Sequence, residues 1–221
     1  NAYTTDDYIR SLNIPSNLLV GVMINASELI SKGRLQEKRL SVLLPKNSAN
    51  SPVQLVRVAC HAHEFAASLP ASQWLKDRGY KVAFNLMQIA DLEDCDIEKM
   101  AKKASRWDFD VLYFADSLGS MNPRQTCRVM NCLRRHWKGA IGIHTHSNLD
   151  LAIQNSLEAL DRGATWVDAT VTGMGRGPGN AKTELLALEI AERRGTECNI
   201  FPLMRVIREH FQPLVKKFNW G

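Results

Sequence analysis

The chain has no uninterrupted apolar run near the roughly 20 residues that a helix needs to cross a bilayer, so a membrane-spanning reading has no support in its 221 residues. Its start is no secretory signal either, because residues 1–10 are polar and acidic rather than basic and then apolar. It lacks any Cys-x-x-Cys pair, and Cys60, Cys95, Cys127, Cys132 and Cys198 are odd in number. A disulfide framework is therefore not expected, and reduced thiols in a cytoplasmic protein are. Cys60, which closes an apolar run, is the one cysteine with a case for catalysis. No concentrated basic patch occurs. The net charge of +5 is spread along the chain, and residues 32–39 and 134–138 read as solvated helix faces. Nucleic acid is thus not an expected partner. No linker or low-complexity stretch divides the sequence, so residues 1–221 read as a single domain.

What is present is an ordinary globular composition, 45% hydrophobic and 23% charged, long enough to bury a full core. Six short runs of Val, Ile, Leu and Phe begin near Leu18, Val53, Tyr80, Phe109, Ala140 and Thr165, recurring about every 30 residues. Helical stripes lie between them, among them Ile97, Met100, Ala101 and Ala104, and also Leu149, Ile153, Leu157 and Leu160. Gly79 and Gly163, each after Asp-Arg, read as glycines that close a helix just before a strand. Strand and helix alternating at this period predict parallel strands with helical crossovers, an α/β fold. An open doubly wound sheet buries both faces under helices and should be apolar on both. Here one face is polar: Gly142, His144 and His146 alternate with Ile141, Ile143 and Thr145, and Arg57, Ala59 and His61 with Val56, Val58 and Cys60. Asp168, Thr170 and Thr172 alternate in the same way with Val167, Ala169 and Val171. Polar residues on one face suit the interior of a (β/α)8 TIM-type barrel, with Arg57 and Asp168 as an expected interior pair.

Four segments carry chemistry. In the first, residues 142–148 at a strand end, His144 and His146 are two apart and point the same way, so both imidazoles can face one divalent ion. The bland alternative is a pair of hydrogen-bonded histidines. His61 and His63, followed by Glu64, form a second such pair, nearly as good a ligand set by local chemistry, that reads better as polar rim residues or as partners for substrate oxygens. In the third, residues 173–180, four alternating glycines let backbone approach a ligand, Arg176 adds a charge suited to a carboxylate or phosphate, and Asn180 is a candidate helix N-cap. The loop matches neither the phosphate-loop nor the dinucleotide spacing. In the fourth, Asp116 and Ser117 close a strand and Pro123 suits a first helical turn. Asp116 can cap the loop, and Ser117 can hold a substrate carboxylate.

Taken in order, Leu55-Val56-Arg57-Val58-Ala59, Asp116-Ser117-Leu118-Gly119, residues 142–148, and Val167-Asp168-Ala169 running into the loop to Asn180 resemble the metal-dependent aldolase and acyl-lyase barrel superfamily. Within it the chain is most similar to the 4-hydroxy-2-oxoacid aldolases, which share the short Gly-Met-Gly-x-Gly-x-Gly-Asn loop. The acyl-CoA lyases carry a reactive cysteine in a longer loop, and no cysteine lies between Cys132 and Cys198. The resemblance implies a carbon–carbon lyase that cleaves or forms a 4-hydroxy-2-oxo acid, with pyruvate and an aldehyde as the other side of the reaction, through an enolate stabilised by the ion. It implies His144, His146 and Asn180 as metal contacts, with manganese preferred and magnesium, cobalt or zinc as alternatives. The substrate, a small anionic 2-oxo acid, would meet Asp116, Ser117, Thr170, Gly175 and Arg176. Arg57, His61 and His63 are the candidate catalytic groups, and a homodimer or a partner domain such as a dehydrogenase is an accompanying expectation. Alternatives are a Claisen-type condensing enzyme or acyl-CoA lyase on the same barrel, and a catalytically silent barrel that binds a metal or a partner. The family opens on a strand bearing Arg-Asp-Gly, whose Asp is a metal ligand; this sequence has only Asp-Arg-Gly, at helix ends. About six of the eight strands are expected, the first two missing, in a domain truncated at both ends.

Overall fold

The computed structural model describes residues 5–218. Six parallel strands form one sheet: β1 (Gly21–Asn25), β4 (Leu55–Cys60), β5 (Lys81–Leu86), β6 (Val111–Asp116), β7 (Ala140–Thr145) and β8 (Trp166–Val167), in the order β1-β4-β5-β6-β7-β8. A small antiparallel pair, β2 (Ile30–Ser31) with β3 (Arg34–Leu35), stands apart from it. The helices are α1 (Thr5–Ser11), α2 (Ala26–Leu29), α3 (Glu37–Leu43), α4 (Ala62–Ser68), α5 (Ala71–Lys76), α6 (Asp94–Ala104), α7 (Pro123–His136), α8 (Ala152–Asp161), α9 (Thr183–Arg194), α10 (Phe201–Val206) and α11 (Gln212–Phe218). Each of the six apolar runs becomes a strand, and β1 and β8 are the ends of the sheet among the described residues. The glycines that close two helices take the left-handed conformation, with φ of 78° at Gly79 and 87° at Gly163.

The chain divides into two compact units. The first comprises the described part of Asn1–Met87 with Glu93–Tyr113 and Cys132–Ala140. Its core is a run of aromatic rings: Phe65 on Phe84 at 5.9 Å, Phe84 on Phe109 at 4.9 Å and Phe109 on Trp137 at 4.5 Å. Val56, Val58 and Cys60 are fully buried on one side of β4. On the other side Arg57 stays half-buried and lies 3.8 Å over the Tyr113 ring. Register places Arg57 between Met23 on β1 and Ala83 on β5. The α6 stripe of Ile97, Met100, Ala101 and Ala104 is buried as its spacing predicts.

The second unit comprises Gln88–Leu92, Phe114–Asn131 and the described part of Ile141–Gly221. Here α8 departs from its predicted stripe. The helix starts at Ala152, leaving Leu149 exposed, and its buried face is Ala152, Asn155, Ser156, Leu157 and Ala159. Two polar residues replace leucines in the core because each finds a partner. Asn155 Nδ2 donates to the Met121 carbonyl at 2.8 Å, and Ser156 Oγ meets Thr145 Oγ1 at 3.1 Å.

Candidate metal centre

The second unit holds the two imidazoles, their partners and the glycine loop. Strand β7 ends at Thr145, and the next residue, His146, forms an antiparallel bridge with Asn180. His144 and His146 share a side of the extended chain, with ring centroids 5.0 Å apart and planes at 85°. Strand β8 pairs with β7 through Gly142 with Trp166 and Ile143 with Val167, and Asp168 N–H then donates to the Ile143 carbonyl at 3.0 Å. That register sets Asp168 beside His144, whose Nδ1 lies 2.9 Å from Asp168 Oδ2. A carboxylate only accepts, so Nδ1 carries a proton, and in the neutral ring Nε2 is the nitrogen with the lone pair. A carboxylate behind an imidazole in this way fixes its tautomer and raises its strength as a ligand.

His146 is held from the backbone. Its N–H donates to the Asp116 carbonyl at 3.3 Å, and the next N–H, of Ser147, donates to Gly179 at 3.0 Å. Burial, then electrostatic coupling to His144 and the charge of Arg176, keep its imidazole below its ordinary pKa, with the Gly179 carbonyl acting in the opposite sense. The neutral form, the one that binds metals, is favoured.

Asn180 was expected as a helix cap. The helix instead begins at Thr183 with Lys182 as its N-cap, and Asn180 pairs with His146 three residues earlier. Its Nδ2 donates to the Met174 carbonyl at 3.1 Å, while its buried Oδ1 has no hydrogen-bond partner. A buried orphan oxygen costs free energy unless something polar meets it. Two neutral imidazoles and an amide oxygen are donors that a divalent ion accepts, so these residues fit one in type. No group of three or more His, Cys, Asp or Glu suited to an ion occurs among the described residues, so the set includes no carboxylate.

The remaining predicted residues fall as follows. Asp116 is 1% exposed and accepts N–H groups from Ser120 at 3.0 Å and Met121 at 3.2 Å, with its pKa raised by burial against those hydrogen bonds. It caps its loop. Ser117 Oγ accepts the Gln88 N–H at 3.0 Å. Thr170 is extended, on the side of Asp168, with Oγ1 buried and unpartnered. In the loop, Gly175 and Arg176 are exposed. Arg57, His61 and His63 belong to the first unit. His61 precedes α4, with its N–H held by Glu64 Oε2 at 2.9 Å, and its ring stacks on His63 at 5.8 Å. Two contacts escaped the sequence reading. Asp168 Oδ2 meets His144 Nδ1; the alternation of Asp168, Thr170 and Thr172 was the available signal. Gln88 carried no signal at all.

The HMGL-like family pattern matches residues 19–208. The chain is 36% identical over 165 residues to 4-hydroxy-2-oxovalerate aldolase 2 of Nocardia farcinica, covering 74% of this chain and 47% of that protein. It is 34% identical over 219 residues to the protein of the same name from Rhodococcus jostii, covering 98% and 60%. The chain thus spans about half to three-fifths of these curated relatives. Among solved structures, the N-terminal domain of a candidate aldolase from Bacteroides vulgatus superposes with a TM-score of 0.81 at 28% identity, covering 93% of this chain and 66% of that one. Hydroxymethylglutaryl-CoA lyase of Bacillus subtilis shares the fold, with a TM-score of 0.73 at 15% identity over 95% of this chain and 74% of that one. The chain belongs to the HMGL-like family, whose barrel its six parallel strands and their helices represent in part.

Proposed function

We propose that the chain is the catalytic part of a divalent-metal-dependent lyase that splits a 4-hydroxy-2-oxo acid into pyruvate and an aldehyde. The observation that carries the reading is the pair of imidazoles on one strand end, one backed by Asp168, with the orphan Asn180 oxygen on the bridging segment. Relatives named as 4-hydroxy-2-oxovalerate aldolases support the reaction class. A cysteine-free loop from Gly173 to Asn180 favours it over an acyl-CoA lyase.

His144 Nε2, His146 and Asn180 Oδ1 are the groups proposed to hold the ion, with manganese the proposed metal. A bound divalent ion supplies Lewis acidity to the carboxylate and keto oxygens of a 2-oxo acid. Asp168 keeps His144 in the ligand tautomer, and Asp116 keeps the His146 backbone in place. Ser117 and Thr170 offer hydroxyls to substrate oxygens, while Gly175 and Arg176 border the site with backbone and positive charge. Removing the 4-hydroxyl proton needs a base, and an imidazole such as that of His61 or His63, with Arg57 nearby in sequence, is the type of group proposed for it on chemical grounds.

The test is pyruvate release from 4-hydroxy-2-oxopentanoate by the full-length protein in manganese. Asp168→Asn should lower activity by about 10- to 100-fold, the usual effect of losing a carboxylate behind a ligand histidine. Turnover of a thioester in place of the hydroxy-oxo acid, or full activity in Asp168→Asn, counts against the reading.

A further inference from the structure

The turn after β5 is fixed at three points within the second unit. Ile89, within it, is fully buried. From α7, Arg128 reaches across and donates to two of its carbonyls, Ala90 at 3.4 Å and Leu92. At its start, the Gln88 N–H donates to Ser117 Oγ at 3.0 Å. Gln88 is left-handed, at φ 55° and ψ 34°, an unfavourable conformation for a residue with a side chain. Such strain persists only where the surroundings impose it, and it concentrates at functional sites.

The consequence lies in the chemistry of the Ser117 hydroxyl. A hydroxyl has one hydrogen to donate and two lone pairs to receive. One lone pair is taken by the Gln88 N–H, and no acceptor meets the hydroxyl hydrogen among the described residues. The rotor is therefore biased: Ser117 receives from the turn and has its hydrogen to give.

We propose that Arg128 is a positioning residue for Ser117. By holding the Gln88–Leu92 turn it sets the Gln88 N–H against Ser117 Oγ and presents the hydroxyl as a donor to a carboxylate or keto oxygen of the ligand. The identity of that ligand rests on the lyase reading; the mechanical link from Arg128 to Ser117 does not.

Two measurements on the full-length protein test this. In the ligand-free protein, amide exchange at Gln88 followed by NMR should accelerate about tenfold or more in both Ser117→Ala and Arg128→Met, the scale of one lost hydrogen bond to a charged group. Arg128→Lys, which keeps a donor, should restore part of the protection. Unchanged Gln88 exchange in both variants overturns the link. Then, with manganese present, titration with pyruvate should show Kd raised about tenfold in Arg128→Met and recovered in part by Arg128→Lys. A merely structural Arg128 would lower the melting temperature and leave pyruvate affinity unchanged, and that result overturns the positioning role. A wild type that takes up no pyruvate overturns both the lyase reading and the ligand half of this proposal, while exchange at Gln88 still decides the link.

Discussion

Gly179 occupies a position that no larger residue fits. Its φ is 84°, and a Cβ there would lie 2.1 Å from the Gly173 carbonyl oxygen. Its own carbonyl accepts the Ser147 N–H, so any shift moves the segment that follows His146. Gly177 makes a natural control, with φ 57° and open space around the Cβ position. Gly179→Ala should destabilise the protein by about 1–3 kcal/mol in urea unfolding, through forced backbone strain, and weaken manganese binding in calorimetry. Gly177→Ala should cost about 1 kcal/mol and leave that affinity intact. Equal affinities in the two variants would detach the loop from the ion site. At the same scale, burial pushes the Cys60 thiol up to about 12. It is therefore a protonated, non-nucleophilic thiol at pH 8 and no catalytic nucleophile. Iodoacetamide at pH 8 should modify the exposed Cys95 and spare Cys60 in native protein, as mass spectrometry would show. Rapid labelling of Cys60 would restore its case for catalysis.

Helix α8 shows where pattern reading reaches its limit. Leucine spacing located a helix correctly, yet the buried face contains Asn155 and Ser156, whose partners lie on other elements. No periodicity reports that a Met121 carbonyl 34 residues away awaits a donor. Asn155→Leu keeps the branching of the side chain, removes its donor and strands that carbonyl, so a loss of about 1–3 kcal/mol is expected by urea unfolding. A neutral result would show that the Met121 carbonyl finds another partner. Strand ends were easier to read than helix faces. On β7 the period of two by itself sets His144 and His146 on one side. The His144–Asp168 contact, by contrast, spans 24 residues and depends on how β8 registers against β7. Strand register cannot be read from either strand alone.

In the molecule as a whole, the recurrence of six apolar runs was enough to specify six parallel strands and their crossovers. The sheet has β1 and β8 at its ends among the described residues, and solved structures share its fold over 93% and 95% of the chain. The polar face that suggested a barrel is real on β4 and β7, where Arg57 and His144 are only half-buried, but β6 is buried along its whole length. Function narrows to the three proposed donors, His144, His146 and Asn180. Manganese binding to the full-length protein, followed by calorimetry in wild type and His146→Ala, tests them most directly. One ion per chain in wild type, with affinity at least about tenfold weaker in the variant, is the predicted result; the same affinity in both would contradict the site.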